Sequence, residues 1–221
     1  MMPVRIALIH AVNVAIEPVR SAFAELWPTA QAFNLLDDAL SPDRAAEAEM
    51  SFALSERIVA LGKYAHGAGA RGILYTCSAF GAAIEAAARE IPVPVLKPNE
   101  AMFEEALACG SKLGMLATFE PSVASMEDEF AALAKRRGKR ATLVTRCVPD
   151  AMRALKSGDG ATHDALIAGE AEHLAGCDAV LLAHFSTSRA HHLVSRALSC
   201  PVLTAPRSAV MSLRKAIEAE T

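Results

Sequence analysis

The feature that most constrains this chain is an internal repeat at one constant spacing. Residues 6–26 (IALIHAVNVAIEPVRSAFAEL) and 113–133 (LGMLATFEPSVASMEDEFAAL) share one pattern of apolar strand, short loop and amphipathic helix, with Phe23 and Phe130 at the same phase. Residues 69–96 and 176–203 repeat likewise. Gly69/Gly176, Leu74/Leu181, Arg89/Arg196, Pro94/Pro201, Val95/Val202 and Leu96/Leu203 are identical pairs, each 107 residues apart and without a gap. A match of that length predicts two similar halves rather than one continuous architecture.

Each half reads strand, helix, further helix, strand, helix, strand, the alternation of a parallel sheet covered by helices. The expected class is therefore α/β, with two pseudo-symmetric halves, each a parallel sheet flanked by helices, and the active site in the cleft between them. The predicted halves are residues 1–97 plus 206–221 and residues 98–205. Arg207 to Glu220 reads as a closing helix that returns to the first half. With 221 residues, 52% of them hydrophobic and 21% charged, the chain has enough apolar material for such cores.

The net charge of −3 gives no bias toward nucleic acid or an anionic membrane, and Lys135 to Arg140 (KRRGKR) reads as the solvated end of a helix. No apolar run reaches the roughly 18 residues of a membrane span. The five cysteines, at 77, 109, 147, 177 and 200, are odd in number and lack CxxC spacing, which points to a reduced, cytoplasmic setting. Cysteines 109, 147, 177 and 200 read as small buried residues.

Chemistry concentrates at Cys77. The apolar run Ile73-Leu74-Tyr75 ends there and a helix-forming stretch begins near Gly81. A helix N-terminus at this point is expected to lower the thiol pKa and to make Cys77 the fastest cysteine to alkylate. Free N–H groups there can hold a carboxylate. The repeat places His184 where Cys77 stands in the first half, with Ser186 and Ser188 as candidate helix caps. Opposed across a pseudo-twofold, Cys77 and His184 would supply the two proton-transfer groups that inversion of a carbon centre requires.

Two other patterns carry less. Gly67 to Gly72 fits GxGxxG but follows a helix and precedes a strand, the reverse of dinucleotide-binding order. His191 and His192, adjacent on a helix, point in different directions, so no metal site is expected.

Tyr75-Thr76-Cys77-Ser78-Ala79 resembles the first cysteine motif of the aspartate/glutamate/hydantoin racemase superfamily, and the two-half plan covers nearly the whole chain. Ile6 to Asn13 is similar to the family's substrate-touching strand and loop, Leu35 to Asp38 to a loop beside the site, and Leu113 to Thr118 to the strand before a substrate-binding threonine. The resemblance implies Cys77 and His184 as catalytic residues. It implies His10, Asn13, Asp38, Ser78, Ala79, Thr118, Phe185 and Ser186 as substrate contacts. It further implies no metal or organic cofactor, a small carboxylate substrate, no nucleic-acid or membrane partner, and a homodimer. The family's racemases use two cysteines; here His184 holds the second position. Arylmalonate decarboxylases keep only the second-half cysteine, and maleate isomerases carry both. The expected activity is an isomerase that takes the proton α to a carboxylate with the Cys77 thiolate. A decarboxylase, a cis-trans isomerase of a small dicarboxylate, and a non-catalytic carboxylate-binding protein are the alternatives.

Overall fold

The computed structural model describes residues 3–219, which form two compact units, 3–98 with 209–219 and Asn99–Ser208. In the first unit the order is β1 (Arg5–His10), α1 (Ile16–Leu26), β2 (Gln31–Leu36), α2 (Leu40–Ala46), α3 (Phe52–Gly67), β3 (Gly72–Tyr75), α4 (Gly81–Glu90) and β4 (Val95–Leu96). The second holds α5 (Glu100–Cys109), β5 (Lys112–Ala117), α6 (Val123–Arg136), β6 (Thr142–Cys147), α7 (Pro149–Lys156), α8 (Gly160–Ala171), β7 (Ala179–Leu182), α9 (His191–Ala197) and β8 (Val202–Thr204). The last helix, α10 (Ala205–Glu218), runs from the second unit into residues assigned to the first.

Each unit contains one four-stranded parallel sheet, in the orders β2-β1-β3-β4 and β6-β5-β7-β8. Both sheets therefore have the same topology, and the α/β class expected from the repeat is the observed one. Corresponding inner strands start 107 residues apart, Arg5 with Lys112 and Gly72 with Ala179. These strands are continuous apolar runs because both sheet faces are covered: β3 (GILY) and β7 (AVLL) are buried throughout.

The outer strands β2 and β6 were not expected. Gln31–Leu36 and Thr142–Cys147 never reach full burial, and Thr142–Cys147 alternates between exposed and partly buried positions, as an edge strand does. The loop expected at Leu35 to Asp38 accordingly begins only at Asp37.

Local signals set the helix ends. The Ser51 hydroxyl accepts the Leu54 N–H at 3.3 Å to open α3, and an Asp159 carboxylate oxygen accepts the Thr162 N–H at 3.0 Å to open α8. Helix α6 ends in Lys135 and Arg136, and Gly138 takes a positive φ of 63° just beyond it. All of Lys135 to Arg140 is exposed.

The closing helix ends at Glu218; its expected end at residue 220 lies outside the described residues. Leu213 and Ile217 pack on β3, where a Cβ on Gly72 would lie 3.0 Å from Leu213 Cδ1 and 2.7 Å from Ile217 Cδ1.

Candidate active site

Parallel strands bring their C-terminal ends to one edge of each sheet, and the singled-out residues gather at those edges. In the first unit, β1 ends at His10 and Thr76-Cys77 follows β3. His10 is fully buried, and both ring nitrogens are taken. Nδ1 lies 2.8 Å from Thr76 Oγ1 and Nε2 lies 2.9 Å from Asn34 Oδ1. With Asn34 in this orientation, Nε2–H donates to its carbonyl oxygen and the Thr76 hydroxyl donates to Nδ1. Burial pushes the His10 pKa down against the opposing pull of Asn34, so the ring is neutral at pH 7. Its position joins three strand ends rather than offering a free nitrogen to a ligand. Asn13 and Asp38 are exposed. Asp37, next to Asp38, is gripped by Arg57 of α3, whose Nε donates to Oδ2 at 2.6 Å while its other nitrogens bond Asp37 Oδ1 and Asp43. This clamp fixes the start of the loop that carries Asp38.

Cys77 is half-buried and extended in backbone (φ −119°, ψ 123°). It lines a cavity of about 10 Å³ with Ile9, His10, Ala11, Leu40, Ile58, Tyr75 and Phe80, barely room for one water molecule. Although the residue retains some exposed surface, burial of its sulfur among these mostly apolar groups pushes the thiol pKa up to about 11. The Ala79 backbone N–H bonds the sulfur and pulls the other way, but loses. The lowered pKa expected from the helix end is thus corrected. Only a single 3-10 turn, Ser78–Phe80, directly follows Cys77, and α4 begins four residues on, at Gly81. The helix field is too distant to offset desolvation. Ser78 and Ala79 are buried in that turn.

Tyr75 sets the entry to this turn. It is buried, and its hydroxyl donates to the Ile58 carbonyl at 2.7 Å. Gly62 of α3 allows the ring to approach: a Cβ there would come within 2.6 Å of Tyr75 Oη.

In the second unit, Thr118 follows β5 and His184 follows β7. The Thr118 backbone N–H donates to His184 Nδ1 at 3.2 Å, with Thr118 Oγ1 3.3 Å from the same nitrogen. A backbone N–H can only donate, so Nδ1 carries no proton. The ring proton is then on Nε2, which lies 2.9 Å from Ser122 Oγ, while the Ser122 hydroxyl donates to the Phe119 carbonyl at 2.8 Å. Desolvation pushes the His184 pKa down to about 4, in keeping with a neutral ring, though the residue is only half-buried.

His184 is the only non-glycine residue with positive φ among the described residues (φ 70°, ψ 139°). Such a conformation costs on the order of 1–3 kcal/mol. Thr187, fully buried, holds it by donating its hydroxyl to the Ala183 and His184 carbonyls, 2.8 Å in the latter case. Phe185 and Ser186 are buried in the turn Phe185–Ala190 that follows.

Sequence reasoning missed Asn34, Thr76, Ser122 and Thr187, which hold His10 and His184. The repeat contained a signal for two of the differences between the halves. At the same 107-residue spacing, Thr118 and Ser122 correspond to Ala11 and Ala15, so the side-chain hydroxyls beside His184 have apolar counterparts in the first unit.

Of the other cysteines only Cys177 is buried; Cys109 is exposed, and Cys147 and Cys200 are intermediate. The expectation that all four are buried fails because Cys109 closes a helix at the surface and Cys147 ends an edge strand. His191 bonds the Val202 carbonyl oxygen from Nε2 at 3.2 Å. Among the described residues no three His, Cys, Asp or Glu side chains group closely enough to hold a metal ion, and no helix is long and apolar enough to cross a membrane.

Residues 15–139 match the family model described as Asp/Glu/Hydantoin racemase. No curated protein matches the chain by sequence. Among solved structures, allantoin racemase from Klebsiella pneumoniae is similar at 17% identity, with a TM-score of 0.78 over 98% of this chain and 89% of its own. A glutamate racemase from Bacillus anthracis is 13% identical, with a TM-score of 0.77 over 100% of this chain and 84% of its own. A variant of arylmalonate decarboxylase is 18% identical, with a TM-score of 0.68 over 98% of this chain and 94% of its own. At these identities the structural likeness speaks for the fold alone.

Proposed function

The chain belongs to the Asp/Glu/hydantoin racemase family, and we propose that within it Cys77 transfers a proton at the carbon α to the carboxylate of a small acid. The observation that carries this reading is the Cys77 thiol itself. It is a desolvated sulfur on a half-buried residue placed directly after a buried parallel strand, with one backbone N–H aimed at it and a pKa near 11. The thiol is therefore protonated at rest, with roughly one molecule in ten thousand as thiolate at pH 7.

That resting state bears on the reaction type. A racemase-type isomerase begins by taking the α-proton and needs the rare thiolate, which a bound substrate would have to favour. A lyase uses the thiol as it stands. The carbon–carbon bond to a departing carboxylate breaks, CO₂ leaves, and the electron pair remains as an enediolate. The Cys77 proton then goes to carbon and solvent reprotonates the thiolate. Both readings keep Cys77 as the acid–base group and a small mono- or dicarboxylate as substrate. The neutral, doubly bonded His184 favours one-sided transfer, since its Nδ1 lone pair is occupied and its Nε2 already carries a proton.

The test is proton NMR in deuterated buffer over a panel of amino acids, hydantoins, arylmalonates and maleate. Deuterium at the α-carbon with inversion identifies a racemase, and CO₂ release with one deuterium delivered stereospecifically identifies a decarboxylase. In either case Cys77→Ser should lose at least about 1,000-fold, because a hydroxyl is a far weaker acid than a thiol. Full activity in Cys77→Ser would overturn the proposal. A folded wild-type protein that binds carboxylates without exchange or turnover would make it a binding protein.

A further inference from the structure

We propose that His184 is a positioning residue: its neutral imidazole, protonated on Nε2, locks the Thr118–Ser122 turn at the end of β5 and exchanges no proton with substrate. The inference deepens the Cys77 reading and rests on it for its functional consequence. The hydrogen-bond chain has one direction throughout. The Thr118 N–H donates to Nδ1, Nε2–H donates to Ser122 Oγ, and the Ser122 hydroxyl donates to the Phe119 carbonyl. Reversing any member would set two donors or two acceptors against each other, so the fixed Thr118 N–H decides the tautomer of the ring.

The backbone supports the same role. Cys77 and His184 are equivalent in the repeat, yet Cys77 has an ordinary extended backbone and His184 turns to φ 70°. That turn aligns the ring with Thr118 and Ser122, the two positions where the first unit has Ala11 and Ala15. Cys77 thus has the methyl of Ala11 beside it, whereas Thr118 and Ser122 bring hydroxyls to His184. The second unit has the partners of a hydrogen-bonding ring, whereas the first has the apolar surroundings of a protonated thiol. The Thr118 N–H is consumed in the lock, so Thr118 reaches a substrate only through its hydroxyl.

Three variants separate the possible roles. His184→Gly relieves the positive φ and removes the ring. His184→Asn tolerates the same backbone and returns an acceptor, Oδ1, near the place of Nδ1. His184→Ala keeps the strain and removes the ring. The first readout needs no substrate. ¹⁵N NMR of the wild-type ring should report the Nε2–H tautomer unchanged from pH 8 to pH 5. Hydrogen exchange at the Thr118 amide should be slow in wild type and His184→Asn and fast in His184→Gly and His184→Ala.

The second readout is Cys77-dependent exchange or turnover on whichever acid the deuterium screen identifies. His184→Gly should lower kcat/KM on the order of 100-fold, and His184→Asn should recover to within about tenfold of wild type. An Nδ1–H tautomer or a ring that protonates above pH 6 would overturn the proposal. So would unprotected Thr118 in wild type, a His184→Asn as inactive as His184→Gly, or wild-type activity in His184→Gly. If no acid in the panel reacts, the NMR and exchange readouts still decide the lock, and only the Cys77 reading fails.

Discussion

Cys77 and His184 end corresponding strands, and burial moves both away from charge: the thiol is pushed up to about 11 and the imidazole down to about 4. For Cys77 this reverses an ordering expected from the sequence alone. Alkylation by iodoacetamide follows the thiolate fraction, so the ligand-free protein should modify Cys77 more slowly than an ordinary thiol at pH 8. Its rate should climb about tenfold per pH unit with no plateau before pH 10. Peptide mass mapping after timed labelling checks this, and a plateau for Cys77 near pH 8 would mean that the sulfur is not desolvated. The position of Cys77 at a strand end was legible because Ile73 to Tyr75 is an apolar run closed by Thr and Cys. Its ionisation was not, since the side chains that desolvate it, Ile9, Leu40, Ile58 and Phe80 among them, come from four separate segments. The tautomer of His184 was hidden for the same reason: it is set by a backbone N–H 66 residues away.

At the level of elements, the repeat made the inner strands readable and left the outer ones unread. β1 with β5 and β3 with β7 are buried on both faces, so their sequences must be continuously apolar and their likeness survives. β2 (QAFNLL) and β6 (TLVTRC) need only one row of backbone bonds to a neighbour, so polar residues pass unpenalised and the strand signal fades. Helix α3 shows how one element positions another. An added Cβ on Gly62 would lie 2.6 Å from both Ile91 Cδ1 and Tyr75 Oη. Ile91 can swing aside, but the Tyr75 ring is held by its bond to the Ile58 carbonyl. Gly62→Ala gains about 1 kcal/mol of helix propensity and loses about 1–3 kcal/mol to overpacking. The expected net is a Tm lower by a few degrees. Adding Tyr75→Phe removes the Oη contact and should make the two changes less than additive. A rise in Tm for Gly62→Ala alone would show that the Tyr75 ring is not fixed against α3.

Across the whole molecule, the two units each carry a histidine kept neutral at a strand end, His10 in the first and His184 in the second. Both folded-state pKa values lie below the 6.5 of an unfolded histidine. The unfolded chain therefore binds more protons than the folded one below that pH, so the stabilisation is complete above pH 6.5 and declines as the pH falls. For His184 the decline runs from pH 6.5 to about 4 and is at most on the order of 3 kcal/mol, less to the extent that solvent reaches this half-buried residue. His10 adds to it over a window that opens at the same pH. Carboxylates held low by backbone N–H groups, Asp159 at the start of α8 and Asp178 beside Ser111 and Lys112, lose their stabilising effect only in more acidic solution. Urea unfolding at pH 7.5 and pH 4.5 should therefore give a clearly lower midpoint at the acid end. His184→Asn and His10→Asn, which cannot titrate, should each flatten part of that difference while starting from a lower stability at pH 7.5. If the His184→Asn midpoint falls with acid as steeply as wild type, then His184 titrates equally in folded and unfolded chains. The Thr118–His184–Ser122 chain would then not be holding a neutral ring.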